Sequence, residues 1–198
     1  MEQDEVHAVL DALGTAGIPT WVAGGWGVDA LAGQQTRAHR DLDLLVDAER
    51  LEDCLSILTA RGYAVETDWL PVREVGAAGR GWVDVHPVRL AADGSGVQAG
   101  LDGTRFAYPP DCFTTGNLAG REVPCLTAAH QQLLHTGYEP RAQDIHDLRV
   151  LRTLEAGNDT RRQPPARASD RAVIAGADAD LQARFQRIRV RPIANVYR

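Results

Sequence analysis

The segment DLDLLV, residues 41–46, alternates acidic and aliphatic side chains with a period of two. Successive side chains of a β-strand point to opposite faces, so this pattern predicts a strand with one wet face and one buried face. Asp41 and Asp43 share the wet face and lie about 7 Å apart, from a rise of roughly 3.3 Å per residue. Carboxylates this close repel each other, so either they are solvated or a cation lies between them.

Composition allows one folded domain with an appendage. The chain has 198 residues, 44% of them hydrophobic, which is enough to bury a core. No apolar run approaches the roughly 20 residues that span a bilayer, and the N-terminus MEQDEVHAVL lacks the layout of a signal peptide. We therefore expect a cytoplasmic protein without membrane association. Cys54, Cys112 and Cys125 form no C-x-x-C pair, which argues against a disulfide framework and a zinc site.

Hydrophobic spacing and turn residues predict the order of the elements. Helices are predicted over residues 3–15, 27–31, 48–60, 127–136 and 141–154. Strands are predicted over residues 20–23, 41–46, 63–69, 71–76, 81–90 and 121–126, and residues 91–111 are predicted mainly as loop. This order predicts an α+β fold, with a mixed, mostly antiparallel sheet flanked by helices, a short helical C-terminal part and a basic tail.

Charge and composition divide the chain into three parts. Residues 1–126 are predicted to form the main domain, residues 127–157 helices packed on it, and residues 158–198 a linker and basic tail of unknown role. Residues 1–157 hold 12 Arg against 23 Asp or Glu, net -11, whereas residues 158–198 hold 9 Arg against 4 Asp, net +5. An acidic body repels nucleic acid and attracts cationic small molecules.

Gly24 and Gly25 lie at a turn between a predicted strand and a short helix. Glycines there allow backbone N–H groups and the helix N-terminus to approach a phosphate, although many turns contain glycine for conformation alone. Combined with Asp41 and Asp43, the turn indicates a site for a triphosphate and a metal ion. Mg²⁺ is the ion that typically combines one or two carboxylates with substrate phosphates.

A third carboxylate, Asp84, lies in the predicted strand GWVDVHPVRL. An acid in an aliphatic strand is costly unless it is paired or metal-bound. Asp84 is therefore a candidate metal ligand, a candidate general base, or both; the alternative is an acid neutralised by a nearby arginine. His86 would share its face of the strand and would either assist Asp84, orient the substrate or serve a structural role.

Two basic residues and several tryptophans complete the candidate site. His39 and Arg40 precede the paired acids and are candidates for contacts with phosphate oxygens, although Arg40 would equally neutralise the acids in the absence of a metal. Trp26, like Trp69 and Trp82, is a candidate for an apolar pocket that holds a nucleobase or acceptor; core packing is the alternative.

The strings GGWGVDAL, HRDLDLLVD and GWVDVHPVRL together resemble the antibiotic nucleotidyltransferases of the DNA polymerase β superfamily, most of all the small lincosamide nucleotidyltransferases. Further similarity through REVPCL and DIHDL extends the resemblance over about residues 5–155. It implies that Asp41 and Asp43 hold Mg²⁺ with the nucleotide phosphates and that Asp84 is the base. The implied reaction transfers AMP from ATP to a hydroxyl of a lincosamide, releases pyrophosphate and confers resistance.

Several alternatives stay open at this point. The acceptor would otherwise be an aminoglycoside, another metabolite, a tRNA or a protein, although the acidic body counts against RNA. A non-catalytic nucleotide-binding module is a second class, whose signature would be the loss of one of the three acids. The basic tail has no counterpart in the resemblance, and a homodimer is left open.

Overall fold

The computed structural model describes residues 1–69, 72–100, 103–136 and 138–162. Five helices are described: α1 (Gln3–Thr15), α2 (Gly24–Ala32), α3 (Leu51–Ala60), α4 (Ala128–Leu134) and α5 (Ala142–Arg162). Nine strands accompany them: β1 (Thr20–Ala23), β2 (Asp41–Asp47), β3 (Ala64–Trp69), β4 (Val72–Ala77), β5 (Gly81–Leu90), β6 (Gly96–Ala99), β7 (Arg105–Tyr108), β8 (Phe113–Leu118) and β9 (Arg121–Leu126).

The strands form one mixed sheet in the order β3-β4-β5-β2-β1-β9-β8, and the β6–β7 hairpin extends from the far end of β5. β2 is parallel to β5, and β1 is parallel to β9. The other strand pairs are antiparallel, which confirms the predicted mixed, mostly antiparallel sheet.

The main core lies on one face of this sheet. The apolar stripe of α1, including Val6 and Leu13, packs in one cluster with Leu58 of α3 and with Leu42 and Leu44 of β2. The alternation of β2 is therefore realised as predicted: Leu42, Leu44 and Val46 are buried in this core, whereas Leu45 belongs to a second, smaller cluster on the other face. Asp41 and Asp43 are left on the opposite face, which is only partly covered.

Helix α2 begins at Gly24, three residues before the predicted start, so both glycines belong to its first turn. Gly24 has φ +55°, a left-handed conformation that favours glycine. The helix ends at Gly33, also left-handed, where the N–H of Gln34 donates to the carbonyl of Asp29. The early start brings the amide groups of the first turn directly to the end of β1.

Three predictions about the second half of the chain are wrong. The prediction of residues 91–111 mainly as loop missed the β6–β7 hairpin, in which buried and exposed residues alternate. Strand β8 was not predicted. Helix α5 continues to Arg162 instead of ending at Leu154, although Gly157, Asn158 and Asp159 have low helix propensity. The basic tail beyond it lies outside the described residues.

Two expectations drawn from composition hold for the described residues. Cys54, Cys112 and Cys125 are buried free thiols. No described helix is long and apolar enough to cross a membrane.

Candidate active site

Four carboxylates form a row across three neighbouring strands. Asp43 of β2 lies opposite Asp84 of β5, and Asp84 lies opposite Glu74 of β4. Asp41 is two residues from Asp43 on the same face of β2. Residues directly paired across strands point to the same side of a sheet, so the row presents its oxygens to one cleft, and all four residues line it. The fold therefore brings Asp41, Asp43 and Asp84 together in one cleft, as expected from the sequence.

Arg40 compensates part of this negative charge. Its guanidinium contacts Asp41 at 2.8 Å and Glu74 at 2.9 Å, and it lies over the ring of Trp82. Burial and the neighbouring charge of Asp43 nevertheless keep the pKa of Asp41 above its usual value, against the lowering effect of Arg40. Arg40 therefore does not fully offset the cost of ionising Asp41, which fits a site that takes up a hard cation.

The side chains of these carboxylates do not, however, converge on one point where an ion could be coordinated. Within the described part of the chain, no three acidic, histidine or cysteine side chains are arranged to coordinate an ion as they stand. Asp41 is turned toward Arg40, whereas Oδ2 of Asp43 is turned toward Gly24. A Cβ at Gly24 would lie 2.0 Å from that oxygen, so only glycine permits this approach.

Gly25 is approached closely by two other side chains. A Cβ there would lie 2.4 Å from the guanidinium of Arg37 and 2.3 Å from Nδ1 of His39. Arg37 lines the cleft together with Gly24 and Gly25, so an arginine stands beside the amide groups at the N-terminus of α2. Such an arrangement suits an anion.

His39 is held away from the open cleft. It is 6% exposed, and its Nε2 is 2.5 Å from Oδ2 of the buried Asp29. The ring of Trp26 packs against it with centroids 4.5 Å apart. Trp26 is 1% exposed and belongs to the main core, which is the alternative that the sequence left open. The predicted contacts of His39 and Trp26 with a nucleotide stay predictions. The side chain of Trp69 lies outside the described residues.

A second ion-pair cluster fixes Arg37. Arg37 donates Nε to Oδ1 of Asp147 at 2.8 Å and its terminal nitrogen to Oδ2 at 2.6 Å, a bidentate pair that joins the segment after α2 to α5. His135 lies 3.9 Å from the same carboxylate. Burial alone would raise the pKa of Asp147, but these two partners outweigh it and lower the pKa to about 2.

A buried chain of hydrogen bonds leads from Asp43 into the β6–β7 hairpin. Tyr108 donates its hydroxyl to Oε1 of Gln98 at 2.8 Å, which leaves Nε2 of Gln98 to donate to Nδ1 of His86 at 3.3 Å. Nε2 of His86 then carries the hydrogen and faces Oδ1 of Asp43 at 3.4 Å. His86 is therefore placed to orient Asp43.

The opposite wall of the cleft comes from the C-terminal helices. The cleft has a volume of about 470 Å³, and beyond the sheet it is lined by residues of α4, α5 and their connection. Among them Tyr138 and Leu134 supply apolar surface, whereas Arg141 and Asp144 form an ion pair at 3.1 Å. This volume lies within the range of small-molecule sites.

Sequence reasoning missed Glu74, Arg37 and the helix residues of this wall. Glu74 carries no signal of its own, because its place in the row depends on the register between β4 and β5. Arg37 could have been predicted only by knowing that α2 starts at Gly24, because this start places Gly25 next to the guanidinium of Arg37.

This fold and this site define the class of the protein, a nucleotidyltransferase-fold protein of the kind that the motifs resemble. The lincomycin-bound crystal structure of the lincosamide antibiotic adenylyltransferase LnuA matches with a TM-score of 0.72 and 34% identity, over 78% of this chain and 98% of that one. The chain belongs to the aminoglycoside-2''-adenylyltransferase family, whose model matches residues 5–151. The family expected from the motifs is thereby confirmed.

Two relatives show the range of the similarity. A lincosamide resistance protein of Staphylococcus haemolyticus is 35% identical over 153 residues, which is 77% of this chain and 95% of the relative. A 2''-aminoglycoside nucleotidyltransferase of Escherichia coli is 30% identical over 122 residues, which is 61% of this chain and 64% of the relative. The residues beyond 151 lie outside the matched family model.

Proposed function

We propose that the protein transfers AMP from ATP to a hydroxyl of a lincosamide antibiotic, releases pyrophosphate and so confers resistance. The observation that carries this proposal is the row of Asp41, Asp43 and Asp84 facing the glycine turn of α2 across one cleft. The Staphylococcus haemolyticus relative supports a lincosamide acceptor, because the similarity extends over 95% of its length.

Magnesium fits the oxygen donors of this site. Asp41 and Asp43 would hold the ion together with phosphate oxygens, and Asp84 would be a further ligand if it turns toward them. When bound, the ion supplies charge neutralisation at the reacting phosphate. Arg40, which bonds Oδ2 of Asp41, would compete with the ion for this carboxylate and would keep Glu74 as a partner if Asp41 turned away.

The nucleotide phosphates would lie at the start of α2. The amide groups near Gly24 and Gly25 and the guanidinium of Arg37 present positive potential to one place in the cleft. A helix N-terminus that carries no side-chain cap is suited to this role.

The chemical step needs one base. The acceptor oxygen forms a bond to the α-phosphorus, the bond from that phosphorus to the pyrophosphate oxygen breaks, and the proton of the hydroxyl passes to the carboxylate of Asp84. Asp84 lies directly opposite Asp43 and is only 4% exposed, so it is held close to the paired acids.

The acceptor would occupy the side of the cleft formed by α4, α5 and their connection. Tyr138 and Leu134 offer apolar contacts to the body of a drug-sized molecule, and the surplus of carboxylates attracts its protonated amine. An aminoglycoside is the second candidate acceptor, since the matching family model describes 2''-adenylyltransferases.

A mass-shift assay tests the proposal. The protein, ATP and Mg²⁺ are incubated with lincomycin and, in parallel, with a panel of aminoglycosides, and each drug is weighed by mass spectrometry for the gain of one AMP. Asp41→Asn and Asp43→Asn should abolish the product, whereas Asp53→Asn, at an exposed acid of α3, should leave it unchanged. The enzyme proposal fails if no drug gains AMP, or if the two site variants work as well as the wild type.

The role of Asp84 is tested separately. If Asp84 is mainly a base, Asp84→Asn abolishes transfer and leaves the affinity for a non-hydrolysable ATP analogue nearly unchanged. Loss of that affinity in the presence of Mg²⁺ would instead assign Asp84 to metal binding.

The division of the chain belongs to the same proposal. Residues 1–126 would form the nucleotidyltransferase domain and residues 127–157 the helices that close its cleft. The cytoplasm, where ATP and the ribosomal drug target meet, is the expected location. Removal of residues 163–198 would test the basic tail, which is expected to pack on the acidic body or on a second subunit. Unchanged mass, activity and stability would discard that expectation.

A further inference from the structure

Gln131 of α4 has a fully buried side-chain amide without a hydrogen-bond partner among the described residues. Its exposed fraction is 0%, and neither Nε2 nor Oε1 forms a hydrogen bond with any described residue. Gln98, the other fully enclosed glutamine, bonds through both of these atoms. A buried amide without partners is uncommon in folded proteins and calls for an explanation.

The position of this amide points to a ligand. Nε2 of Gln131 would lie 2.0 Å from a Cβ at Gly27, so the side chain reaches the first turn of α2, against a glycine that makes room for it. Gln131 also lines the cleft together with Gly24 and Gly25. The unpartnered amide therefore stands beside the helix N-terminus that has no side-chain cap.

The chemistry at this place favours an anion with several oxygens. The backbone amide groups of the first turn of α2 and the guanidinium of Arg37 are donors, and Nε2 of Gln131 adds a neutral donor from the other side of the turn. Among the two substrates of the proposed reaction, the nucleotide brings phosphate oxygens, whereas a lincosamide brings a cationic amine.

We propose that Gln131 is a nucleotide-binding residue, whose Nε2 donates a hydrogen bond to a phosphate oxygen held at the N-terminus of α2. Oε1 is then available to a hydroxyl of the same nucleotide or to water that accompanies it. The inference rests on the proposed function, because it takes the nucleotide as the ligand. It also means that the apo protein is destabilised by an unsatisfied amide until the nucleotide binds.

Replacement of Gln131 by methionine, which has a similar size and no amide, separates the two roles. In Gln131→Met the melting temperature of the apo protein should rise by about 2–4 °C, since an unsatisfied polar group is removed. Its affinity for α,β-methylene-ATP with Mg²⁺, measured by calorimetry, should fall about tenfold, and so should its affinity for inorganic triphosphate. Lincomycin should bind as it does to the wild type.

Gln132, the next residue of α4, provides the matched control. Its side-chain amide donates a hydrogen bond to Glu155 at 2.7 Å, and the residue does not line the cleft. Gln132→Met should therefore leave the affinity for the ATP analogue unchanged. Gln131→Leu serves as a second apolar variant if the first folds poorly.

Other outcomes overturn the inference. A lower melting temperature of both apolar variants with unchanged nucleotide affinity would make Gln131 a structural residue. A selective loss of lincomycin binding would assign it to the acceptor, and a loss for the ATP analogue without a loss for triphosphate would exclude the phosphate contact. If the wild-type protein binds no nucleotide at all, the proposed function is refuted, and the inference about Gln131 is refuted with it.

Discussion

The pair between Arg37 and Asp147 predicts how stability depends on pH. The carboxylate of Asp147 is 2% exposed, and its pKa falls from 3.8 to about 2 because its partners outweigh the effect of burial. At 1.36 kcal/mol per pKa unit, the ionised form contributes about 2 kcal/mol to folding at neutral and higher pH. Because the folded-state pKa is the lower one, this contribution is complete above about pH 4 and is lost as the pH falls toward 2. About 1 kcal/mol remains at pH 3.

Asp147→Asn tests this magnitude in urea unfolding experiments. At pH 8.5, where the contribution of His135 is lost, the pair with Arg37 should account for up to about 2 kcal/mol of lost stability, and burial of Arg37 without its charge partner adds to the loss. The difference should shrink between pH 4 and pH 2. His135 acts in the opposite direction: its raised pKa adds stability below about pH 6.5, which is lost as the pH rises through the raised value. The stability difference measured at pH 8.5 therefore reports the interaction of Asp147 with Arg37 alone.

The exposed pair of Asp11 and Arg121 is the matched control. These side chains also form an ion pair across distant parts of the chain, but they are 62% and 38% exposed. Asp11→Asn should therefore have no measurable effect at any of these pH values. If both variants lose the same stability, or if the loss in Asp147→Asn does not depend on pH below 4, the reasoning about Asp147 is wrong.

Two further predictions concern the site itself. Gly24→Ala should abolish transfer, because its Cβ would collide with the carboxylate of Asp43. Gly33→Ala is the control: it carries similar left-handed strain, has no described atom within 4 Å of the new Cβ, and should lose only stability. Activity and melting temperature are measured for both variants side by side. Arg40→Gln should lower the melting temperature of the apo protein. Added Mg²⁺ should raise the melting temperature of this variant by more than it raises that of the wild type, because Arg40 no longer competes for Asp41. An equal increase in both proteins would refute that competition.

The sequence predicted those parts of the site that depend on a local pattern. Asp41 and Asp43 share a face because the strand has a period of two, and this is independent of the rest of the fold. Asp84 was found as a candidate because an acid stands in an otherwise aliphatic strand, but its pairing with Asp43 depends on the register between β2 and β5, which no single segment determines.

Long-range contacts explain what the sequence did not predict. Glu74 and Gln131 enter the cleft through the register of β4 and the position of α4, and neither has a distinctive neighbour in the chain. His39 was expected at the phosphates because it precedes the paired acids; its contact with the buried Asp29 could not be read from the sequence, and its phosphate contact stays a prediction. The β6–β7 hairpin was obscured by its glycines, since those residues are read as loop unless the pairing partner is known.

The parallel pairing of β2 with β5 also determines when the active site can exist. Asp43 and Asp84 are neighbours only after the intervening α3, β3 and β4 have closed the crossover, a long loop whose entropy has to be overcome first. No local fragment of the chain contains both carboxylates in place, so a partly folded molecule has no partial activity. The level of resistance in a cell should therefore follow the fraction of molecules that are fully folded, and substitutions far from the cleft would weaken it through stability alone.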